Sequence, residues 1–522
     1  MATLQDSKSH PEVEHDNTPF DEKAAAGEVK EINAASVALA AALEERPPNI
    51  WSPNMLKLYF ILSIGYLVST MNGFDSSLMG SQNAMPQYQK TFGLSGAGST
   101  TGIVFMIYQV GQVASFPFCS PLADAIQTPA NTLGQFIAGR FVLGFGASLA
   151  SAAGPAYIVE LAHPKYRGTM AGAYNTFWWL GNILAGWTTY GTNEHLDNSW
   201  AWRIPTLVQA GMPAVVMCFI MFFPESPRWL IAHDRAEEAL AILAKYHGDG
   251  DVSSPVVQLQ YQEIVEDDRL TRDENPWWDM RELFNTRAAR YRLAMVIIMA
   301  FFGQWSGNNV VSYFMPEMFK QAGITSDSTQ LLLTAINPIF CLIAAIYGAT
   351  LLDRLGRRFM LIAGLGGALV SYIMLTAFTA ESEKNQNLSY GVIVSIYLFG
   401  ICFSWGFTPL QTLYAVECLG NRTRAKGSAL SFLFLNIAII INTYGISVGI
   451  AAIGFRLYIV YICWICIEIF VVYFWFVETS GKTLEELNSI FEAPNPRKES
   501  TKKTKVVVDG AGNVVNVGGT NA

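Results

Sequence analysis

Apolar stretches of about 20 residues recur along this chain, and they constrain its fold more than any other feature. A helix of that length crosses the hydrocarbon core of a membrane, where only helices and closed barrels satisfy every backbone hydrogen bond. Hydrophobic residues make up 51% of the 522 residues and charged residues only 15%, and the charges cluster between the apolar stretches. The sequence therefore predicts an all-α membrane protein and argues against a large soluble enzyme.

The windows of spanning length form two groups on either side of a charged central stretch. Five precede it and six follow it: Leu56–Met79, Ser99–Leu122, Leu133–Ile158, Met170–Tyr190 and Ile204–Phe223, then Leu293–Phe314, Leu331–Leu351, Phe359–Phe378, Tyr390–Tyr414, Ala429–Ile450 and Phe455–Phe476. We therefore expect about 11 spans.

Lysine and arginine set the orientation, because basic residues concentrate in cytosolic loops. With both termini inside, the cytosolic loops hold most of the basic loop residues, including Lys165, Arg354, Arg422 and the stretch Glu225–Arg292. Both termini can lie inside only if the number of spans is even. Since eleven is odd and the basic loops of the second half are regular, we expect one span to be missing from the first half.

Residue types argue against several classes of function. The net charge is −8, and no basic stripe is interleaved with aromatic residues, so we expect no nucleic acid partner. Cys463 and Cys466 have the spacing of a metal or redox pair, but no second pair of ligands accompanies them. No phosphate-binding loop and no set of nucleophile and base is present, so we expect no cofactor, no metal and no enzyme activity, and we predict no obligate protein partner.

Two motifs occur once in each half of the chain. Glu160 is followed seven residues later by Arg167, and Glu417 is followed at the same distance by Arg424. Each half also ends its last span in an acidic motif, PES in the first half and VET in the second. Such duplication is typical of transporters that are built from repeated halves.

Together with the DRLGRR loop from Asp353 and the Gly139–Arg140 pair, these motifs resemble the sugar porter family of the major facilitator superfamily. The QWSGNN run from Gln304 to Asn309 is most similar to fungal lactose, galactose and disaccharide permeases. The resemblance covers roughly residues 56–487. It implies a major facilitator fold in the plasma membrane, with two six-helix halves that rock about a central site.

The implied organisation has five parts. They are a cytosolic tail (1–53), an N-terminal helical half with spans 1, 2, 4, 5 and 6 (54–223), a cytosolic linker of intracellular helices (224–292), a C-terminal half with spans 7–12 (293–476) and a cytosolic tail (477–522). The chain departs from the family after span 2, where the family has a further DRxGRR loop and a third span. Here Asp124 leads within a few residues to Asn131 and to span 4.

About ten residues thus connect a span that ends inside to one that begins outside, and they reach roughly 35 Å when fully extended. No ordinary loop crosses the bilayer core. We interpret the third span as missing through a skipped exon or a faulty gene model, and a genuine eleven-span variant is the alternative.

Asp75 lies within the first predicted span. A charged group at that depth costs about 3 kcal/mol or more unless it is paired or neutralised, so we expect a functional role. In proton-coupled members of the family an acid at this place pairs with an arginine of span 4, here Arg140. The resemblance implies that protonation of Asp75 releases Arg140 and lets the halves close around the sugar. A static ion pair between the two spans is the alternative.

A sugar site needs amide and hydroxyl groups and an aromatic face. Positions in the family's motifs assign sugar binding to Asn175, Gln304, Asn309, Asn337, Thr412 and Asn436. Hydrogen bonding between helices is the alternative for these residues. Gly303 departs from the family, which often has a second glutamine there, so the hydroxyl contacted at this place is open. Trp305, Tyr313 and Phe314 are candidates for stacking on the sugar or gating the outer path, or for packing.

Charged residues at the predicted inner helix ends form a candidate latch. Its members are Glu160, Arg167, Glu225, Arg228, Arg354, Arg358, Glu417, Arg424 and Glu478. Pairs across the halves would hold the outward-open state, although anchoring of the topology by positive charge is equally compatible with the sequence. Asn387 begins an Asn-Leu-Ser sequence in an outer loop and is a candidate glycosylation site.

Three functions remain at this point. The first is import of a lactose-like disaccharide or a hexose by proton symport, for which Asp75 with Arg140 is the discriminating feature. The second is passive transport of a sugar, a polyol or quinate. The third is a receptor that does not transport, or an inactive product that lacks one span. For the first we expect sugar, protons and the lipid bilayer as partners.

Overall fold

The computed structural model describes residues 49–94, 96–114, 132–272, 280–382, 385–420, 423–480, 484–501, 503–508 and 514–520. The chain divides into a smaller unit, Met1–Leu56 with Pro227–Arg272, and a larger unit, Lys57–Ser226 with Asp273–Ala522. The connection from Asp124 to Asn131, on which the prediction of a missing third span rests, lies outside the described residues.

Helices make up nearly all of the described chain up to residue 220. In order they are α1 (Pro53–Asn83), α2 (Pro86–Phe92), α3 (Ser99–Ala114), α4 (Leu133–Leu161), α5 (Arg167–His195) and α6 (Trp200–Ile220). A short 3₁₀ turn, Pro164–Tyr166, precedes α5.

Three further helices belong to the smaller unit: α7 (Pro227–Ala232), α8 (Ala236–His247) and α9 (Pro255–Arg272). They share a small apolar core that includes Leu230, Leu243, Val257 and Ile264. This part of the predicted linker therefore has its own hydrophobic centre.

The rest of the chain is again helical, with a strand pair at its end. The helices are α10 (Arg287–Trp305), α11 (Asn308–Gln321), α12 (Asp327–Leu355), α13 (Arg357–Ser382), α14 (Ser389–Gly406), α15 (Leu410–Cys418), α16 (Arg424–Ile453), α17 (Leu457–Trp475), α18 (Leu484–Glu492) and α19 (Pro496–Ser500). Strands β1 (Lys503–Val508) and β2 (Val514–Thr520) pair antiparallel. Three more 3₁₀ turns lie at Arg281–Leu283, Gln386–Leu388 and Gly454–Arg456.

Within the described residues each predicted spanning window falls on a helix, or on two helices where the span is broken; of the window Ser99–Leu122, only the part up to Ala114 is described. The window Leu293–Phe314 is covered by α10 and α11, and Tyr390–Tyr414 by α14 and α15. Within the described residues, seven helical stretches are long and apolar enough to cross a membrane: Pro53–Asn83, Trp200–Ile220, Arg287–Gln321, Asp327–Leu352, Arg357–Ser382, Ser389–Gly406 and Lys426–Trp475. The all-α membrane fold is confirmed, and the count of eleven spans stays a prediction.

Close backbone contact between α3 and α4 places the centre of the first half. A Cβ atom at Gly111 would overlap the carbonyl oxygen of Phe141, and one at Gly144 would overlap that of Tyr108. Small residues allow such contact between helices in a membrane, where lipid is as apolar as the side chains. The result is that Arg140 on α4 lies beside Tyr108 on α3.

The largest apolar core joins the helices from α10 to α18 and extends into α1, α2, α3, α4 and α6 of the first half. Met299, Phe319, Tyr372, Phe399 and Tyr458 are among its fully buried members. Capping side chains start two of these helices: Thr286 accepts from the backbone N–H of Ala289 at α10, and Ser326 accepts from that of Thr329 at α12.

Candidate functional site

A cavity of about 370 Å³ lies among the helices of the larger unit. Side chains from α1, α3, α4 and α5 line it on one side, and side chains from α10, α11, α14, α15 and α16 line it on the other. Its volume falls within the roughly 300–1,000 Å³ that is typical of small-molecule sites. The cavity is therefore central to the bundle and large enough for a small ligand.

The lining of this cavity combines apolar side chains with polar groups that are uncharged. Amides come from Asn72, Gln109, Gln112, Gln304, Asn308, Asn309, Gln411 and Asn436. Hydroxyl groups come from Ser69, Ser76 and Ser151, and broad aromatic faces come from Trp178 and Trp179. None of the described lining residues carries a formal charge. Such a lining donates and accepts hydrogen bonds and offers a surface for an apolar face, so it suits a neutral polyhydroxy ligand.

The residues predicted to bind sugar have three different outcomes. Gln304, Asn309 and Asn436 line the cavity, and Asn337 lines a chamber of about 30 Å³ beside it. Asn175 lies on α5 and Thr412 on α15, but their side chains lie outside the described part of the structure. The structure thus brings together three of the six at the cavity and places a fourth next to it.

Several of these amides have a polar atom that makes no hydrogen bond within the described residues. Asn309 Nδ2, Asn337 Oδ1 and Asn436 Oδ1 are buried and have no hydrogen-bond partner among the described residues. An unsatisfied buried polar atom costs roughly 1–3 kcal/mol, so a ligand that satisfies it gains affinity. Bonding between helices, the alternative for these amides, therefore leaves part of their capacity unused.

Sequence reasoning missed the amides of the first half. Asn72 lies on α1, one turn before Asp75, and Gln109 and Gln112 are spaced three residues apart on α3. A signal was present, because an amide in the middle of an apolar span usually faces the bundle interior. These three amides lie outside the motifs on which the predicted sugar site rests.

Span 7 is broken beside the cavity. Helix α10 ends at Trp305, and α11 begins at Asn308 after Gly307, which has φ +96°. A left-handed φ of this kind is the glycine-favouring conformation. The break therefore allows Gln304 and Asn309 to face the same cavity from two different helices.

Side chains of other helices bind the backbone oxygens at this break. Asn442 Nδ2 donates to the Gln304 carbonyl oxygen at 2.6 Å, and Tyr461 Oη donates to Asn442 Oδ1 at 2.7 Å. Tyr372 Oη donates to the Gly307 carbonyl oxygen at 2.9 Å. These three residues lie on α16, α17 and α13, and they fix the position of the break from behind the cavity.

Asp75 lies at the centre of a buried cluster with Arg140. The Asp75 side chain is 1% exposed and Arg140 is 2% exposed. Tyr108 Oη donates to Asp75 Oδ2 at 3.2 Å, and Gln209 Nε2 donates to Asp75 Oδ1 at 2.6 Å. The Arg140 guanidinium lies 5.1 Å from the centre of the Tyr108 ring. The structure thus gathers the predicted pair around Tyr108, and Gln209 on α6 is a member that the sequence did not indicate.

Tyr108 connects this cluster to the cavity, because its side chain also belongs to the cavity lining. The Nε and Nη1 atoms of Arg140 have no hydrogen-bond partner among the described residues, so this cation depends on the nearby carboxylate and the ring face. A change in the charge of Asp75 would therefore be transmitted to the cavity wall through Tyr108.

The predicted gate residues divide into two groups. Tyr313 and Phe314 pack on Phe105 of α3, with ring centroids 5.5 and 5.0 Å apart, and Tyr313 lines the cavity. Trp305 lies among other contacts: its Nε1 donates to the Ala438 carbonyl oxygen at 2.9 Å, and its ring packs on Trp464 at 5.2 Å. Of the three, only Tyr313 lines the cavity, Trp305 and Phe314 are packed on other rings, and gating by Tyr313 and Phe314 stays a prediction.

Charged residues at the predicted inner end form a network around Arg357. Arg357 Nη2 pairs with Glu417 Oε1 at 2.7 Å. Glu478 accepts from the backbone N–H groups of Arg357 and Arg358 at 2.9 and 3.0 Å, so it caps the start of α13. Thr479 Oγ1 also donates to Glu417, at 2.6 Å.

Other members of the candidate latch have varied surroundings. In the first half, Ser226 Oγ donates to Glu160. Three members are exposed: Glu225, Arg228 and Arg354. The Arg358 guanidinium lies 5.1 Å from the Tyr473 ring centre, and the buried Arg424 Nε has no hydrogen-bond partner among the described residues. The Arg167 side chain lies outside the described part. The described hydrogen bonds of Glu160, Glu417 and Glu478 join residues within one half, and Asn387 is exposed in its loop.

Residues 116–491 match the family described as sugar (and other) transporter. The MFS-type transporter criB of Aspergillus cristatus is 26% identical over 460 residues, with 83% of this chain and 94% of the relative covered. The high-affinity glucose transporter 1 of Candida albicans is 29% identical over 487 residues, with 85% and 87% covered. A probable quinate permease of Aspergillus fumigatus is 26% identical over 498 residues, with 88% and 91% covered.

Solved structures of a bacterial protein have the same fold. The xylose transporter XylE from E. coli, in a partially occluded inward-open conformation, superposes with a TM-score of 0.66 at 20% identity and covers 82% of this chain and 99% of its own. The proton:xylose symporter XylE bound to 6-bromo-6-deoxy-D-glucose gives 0.61 at 22% identity, with 84% and 100% covered.

Proposed function

Because the chain belongs to the sugar (and other) transporter family, we propose that it imports a neutral sugar across the plasma membrane by proton symport. The family match confirms the resemblance to sugar porters, and the chain is a multi-pass membrane transporter with the major facilitator fold and not an enzyme. The particular likeness to lactose permeases, the plasma membrane and the cytosolic position of both termini belong to the proposal.

The uncharged cavity is the observation that carries the choice of a neutral sugar. Its described lining combines amides, hydroxyl groups and aromatic faces, and it contains no cation. A carboxylate moved into such a site without a partner would lose its hydration and gain no ion pair in return. One relative is a probable quinate permease, but this lining favours a sugar over an organic acid.

The cluster around Asp75 supports proton coupling. As a carboxylate, Asp75 accepts hydrogen bonds from Tyr108 and Gln209 close to the Arg140 cation. A proton that arrives from outside removes the negative charge, weakens both hydrogen bonds and releases Arg140 and Tyr108 from Asp75. Since Tyr108 also contacts the cavity, its release couples protonation to the rearrangement around bound sugar. Loss of the proton to the cytosol restores the original cluster.

Uptake of labelled sugar in cells that lack their own sugar transporters tests this proposal. We expect the wild type to accumulate glucose, galactose or lactose, and an uncoupler to abolish the accumulation. Asp75→Asn should lose accumulation but keep exchange of labelled for unlabelled sugar, because the cavity is unchanged. Asp197→Asn is the matched control, since Asp197 is exposed in a loop. Uptake that is insensitive to the uncoupler would establish a passive facilitator. Absence of any uptake would favour the receptor or the inactive product.

Competition by quinate tests the neutral class of substrate separately. We expect excess unlabelled quinate to leave sugar uptake unchanged, because the described lining offers no cation for its carboxylate. A polyol without a carboxylate is the matched competitor. Strong inhibition by quinate alone would contradict the proposed substrate class.

A further inference from the structure

The side chain of Gln411 fills the space beside Gly303 that a side chain at position 303 would occupy. Gly303 lies on α10 directly before Gln304, and Gln411 lies in the first turn of α15. A Cβ atom built at Gly303 would lie 2.5 Å from Gln411 Nε2 and 2.7 Å from Gln411 Cδ. These separations are far below van der Waals contact. Any side chain at position 303 would therefore displace the carboxamide of Gln411.

The carboxamide of Gln411 has hydrogen-bonding capacity to offer. The residue belongs to the cavity lining, and its side chain makes no hydrogen bond to another described residue. Its backbone N–H is already used, since it donates to the Phe407 carbonyl oxygen at 2.9 Å. A carboxamide carries two N–H donors and an acceptor oxygen, so it can both donate to and accept from one sugar hydroxyl.

We propose that Gln411 is a sugar-contacting, specificity-determining residue, which supplies from α15 the carboxamide that a glutamine at position 303 would supply from α10. The proposal rests on the proposed function, neutral sugar transport, and assigns one hydroxyl contact of the substrate to α15. It also gives Gly303 a role, because the absence of a side chain there creates the space that Gln411 uses.

This arrangement has a consequence for substrate choice. Gln304 and Gln411 approach the cavity from two helices, so the spacing of their amides depends on how α10 and α15 pack and not on a single helical turn. A sugar that bridges them must place two hydroxyl groups at that spacing. A deoxy sugar that lacks the hydroxyl group at Gln411 loses one of the two contacts. The carboxamide of Gln411 then contributes nothing to the affinity for that sugar.

Exchange of the carboxamide between the two helices tests the proposal. We expect Gln411→Ala to raise KM for the transported sugar roughly tenfold with Vmax kept, as for loss of one good hydrogen bond. Gly303→Gln alone should also raise KM, because two carboxamides compete for one space. The double variant Gly303→Gln/Gln411→Ala should recover KM to within about threefold of wild type, which is a non-additive result. One deoxy sugar of a systematic series should have the same KM in wild type and Gln411→Ala.

Controls separate this proposal from folding defects and from the proposed function. Gly191→Gln is the matched control for a new glutamine, because a Cβ atom at Gly191 meets nothing within 4 Å. Surface expression and Vmax report folding in every variant. Unchanged KM in Gln411→Ala, with a wild type that transports sugar, would overturn the role of Gln411 while the proposed function stands. A double variant no better than either single variant would overturn the exchange, and a wild type inert toward every neutral sugar would instead refute the proposed function.

Discussion

Tyr108 shows how a single residue can join two functional groups. Its hydroxyl group donates to Asp75, its ring lies against the Arg140 guanidinium, and its surface forms part of the cavity wall. The hydrogen bond stabilises the ionised carboxylate, since it is donated to the charged form. Removal of the hydroxyl group should therefore take one hydrogen bond from Asp75 while the ring contact with Arg140 stays in place.

Tyr108→Phe tests this role of the hydroxyl group. We expect net accumulation of sugar to fall while exchange of labelled for unlabelled sugar is kept, because the carboxylate of Asp75 loses the donor Tyr108 Oη and with it a link to the cavity wall. The measurement is the steady-state accumulation and the exchange of labelled sugar.

Tyr88→Phe is the matched control for this measurement, because the Tyr88 hydroxyl group is buried and has no hydrogen-bond partner among the described residues. Unchanged accumulation in Tyr108→Phe, or an equal loss in both variants, would contradict the assigned contact.

The break in span 7 is the feature that matters at the scale of elements. It lets α10 and α11 present Gln304 and Asn309 to one cavity, and it depends on side chains from three other helices. The rings of Tyr372 and Tyr461 stack with centroids 5.8 Å apart, so two of these supports also hold each other. The break is therefore positioned by a connected network.

Tyr461→Phe should remove one hydrogen bond from this network and leave its ring contacts in place. The ring remains, but Asn442 loses the donor at its Oδ1 atom and is less firmly oriented toward the Gln304 carbonyl group. We expect KM for sugar to rise roughly three- to tenfold while Vmax changes little, as for one net hydrogen bond. Tyr458→Phe is the control, because its hydroxyl group donates to Gln321 at the far end of α11. Equal KM values in both variants would argue against the network.

Glu478 is the element-scale feature at the opposite end of the second half. It accepts from three backbone N–H groups, those of Arg357, Arg358 and Ser480, and so binds the start of α13 to the end of span 12. An acidic cap also interacts favourably with the positive end of the helix dipole. Because all the residues in these three hydrogen bonds belong to the second half, we expect the cap to stabilise that half.

Glu478→Ala should lower the thermal midpoint of the detergent-purified protein. Loss of a helix cap costs about 1 kcal/mol, so we expect a fall of about 2 °C or less, because the entropy of unfolding of a 522-residue chain exceeds that of the 150–250-residue folds that shift by roughly 2–4 °C. Glu478→Gln should cause a smaller loss, because an acceptor oxygen remains. Glu263→Ala on α9 is the control at an exposed glutamate. A midpoint equal to that of wild type would show that the cap contributes nothing measurable.

The number of spans is the open feature of the whole molecule. The family match begins at residue 116 and continues past the connection from Asp124 to Asn131, which lies outside the described residues. Both termini reach the cytosol only with an even number of spans. Our proposal that the third span is missing therefore affects the topology of every helix before it.

Transcript sequencing across the codons for Asp124 to Asn131 tests that proposal. We expect a longer form that encodes one more span, and we expect this form to have the greater sugar uptake at equal surface expression. If the short form alone exists and accumulates sugar, the interpretation of the connection as a deletion is wrong.

Hydrophobicity, motif spacing and isolated polar residues in the sequence were enough to predict most of the fold and part of the site. They predicted membrane helices, and motif positions predicted the buried Asp75 and Arg140 and the cavity residues Gln304 and Asn309. These features can be read from single segments of the chain, because the lipid around a spanning helix restricts which residues that helix can contain. They are present in the sequence before any helix packs on another.

Only the tertiary structure decided which polar groups meet. Gln209 reaches Asp75 from α6, and Gln411 fills the space above Gly303 from α15, although neither spacing along the chain indicates the contact. Contacts of this kind depend on the rotation of each helix about its axis and on how closely two backbones approach. The physical reason is that periodicity specifies a face of one helix, whereas packing of all the helices together selects the partner of that face.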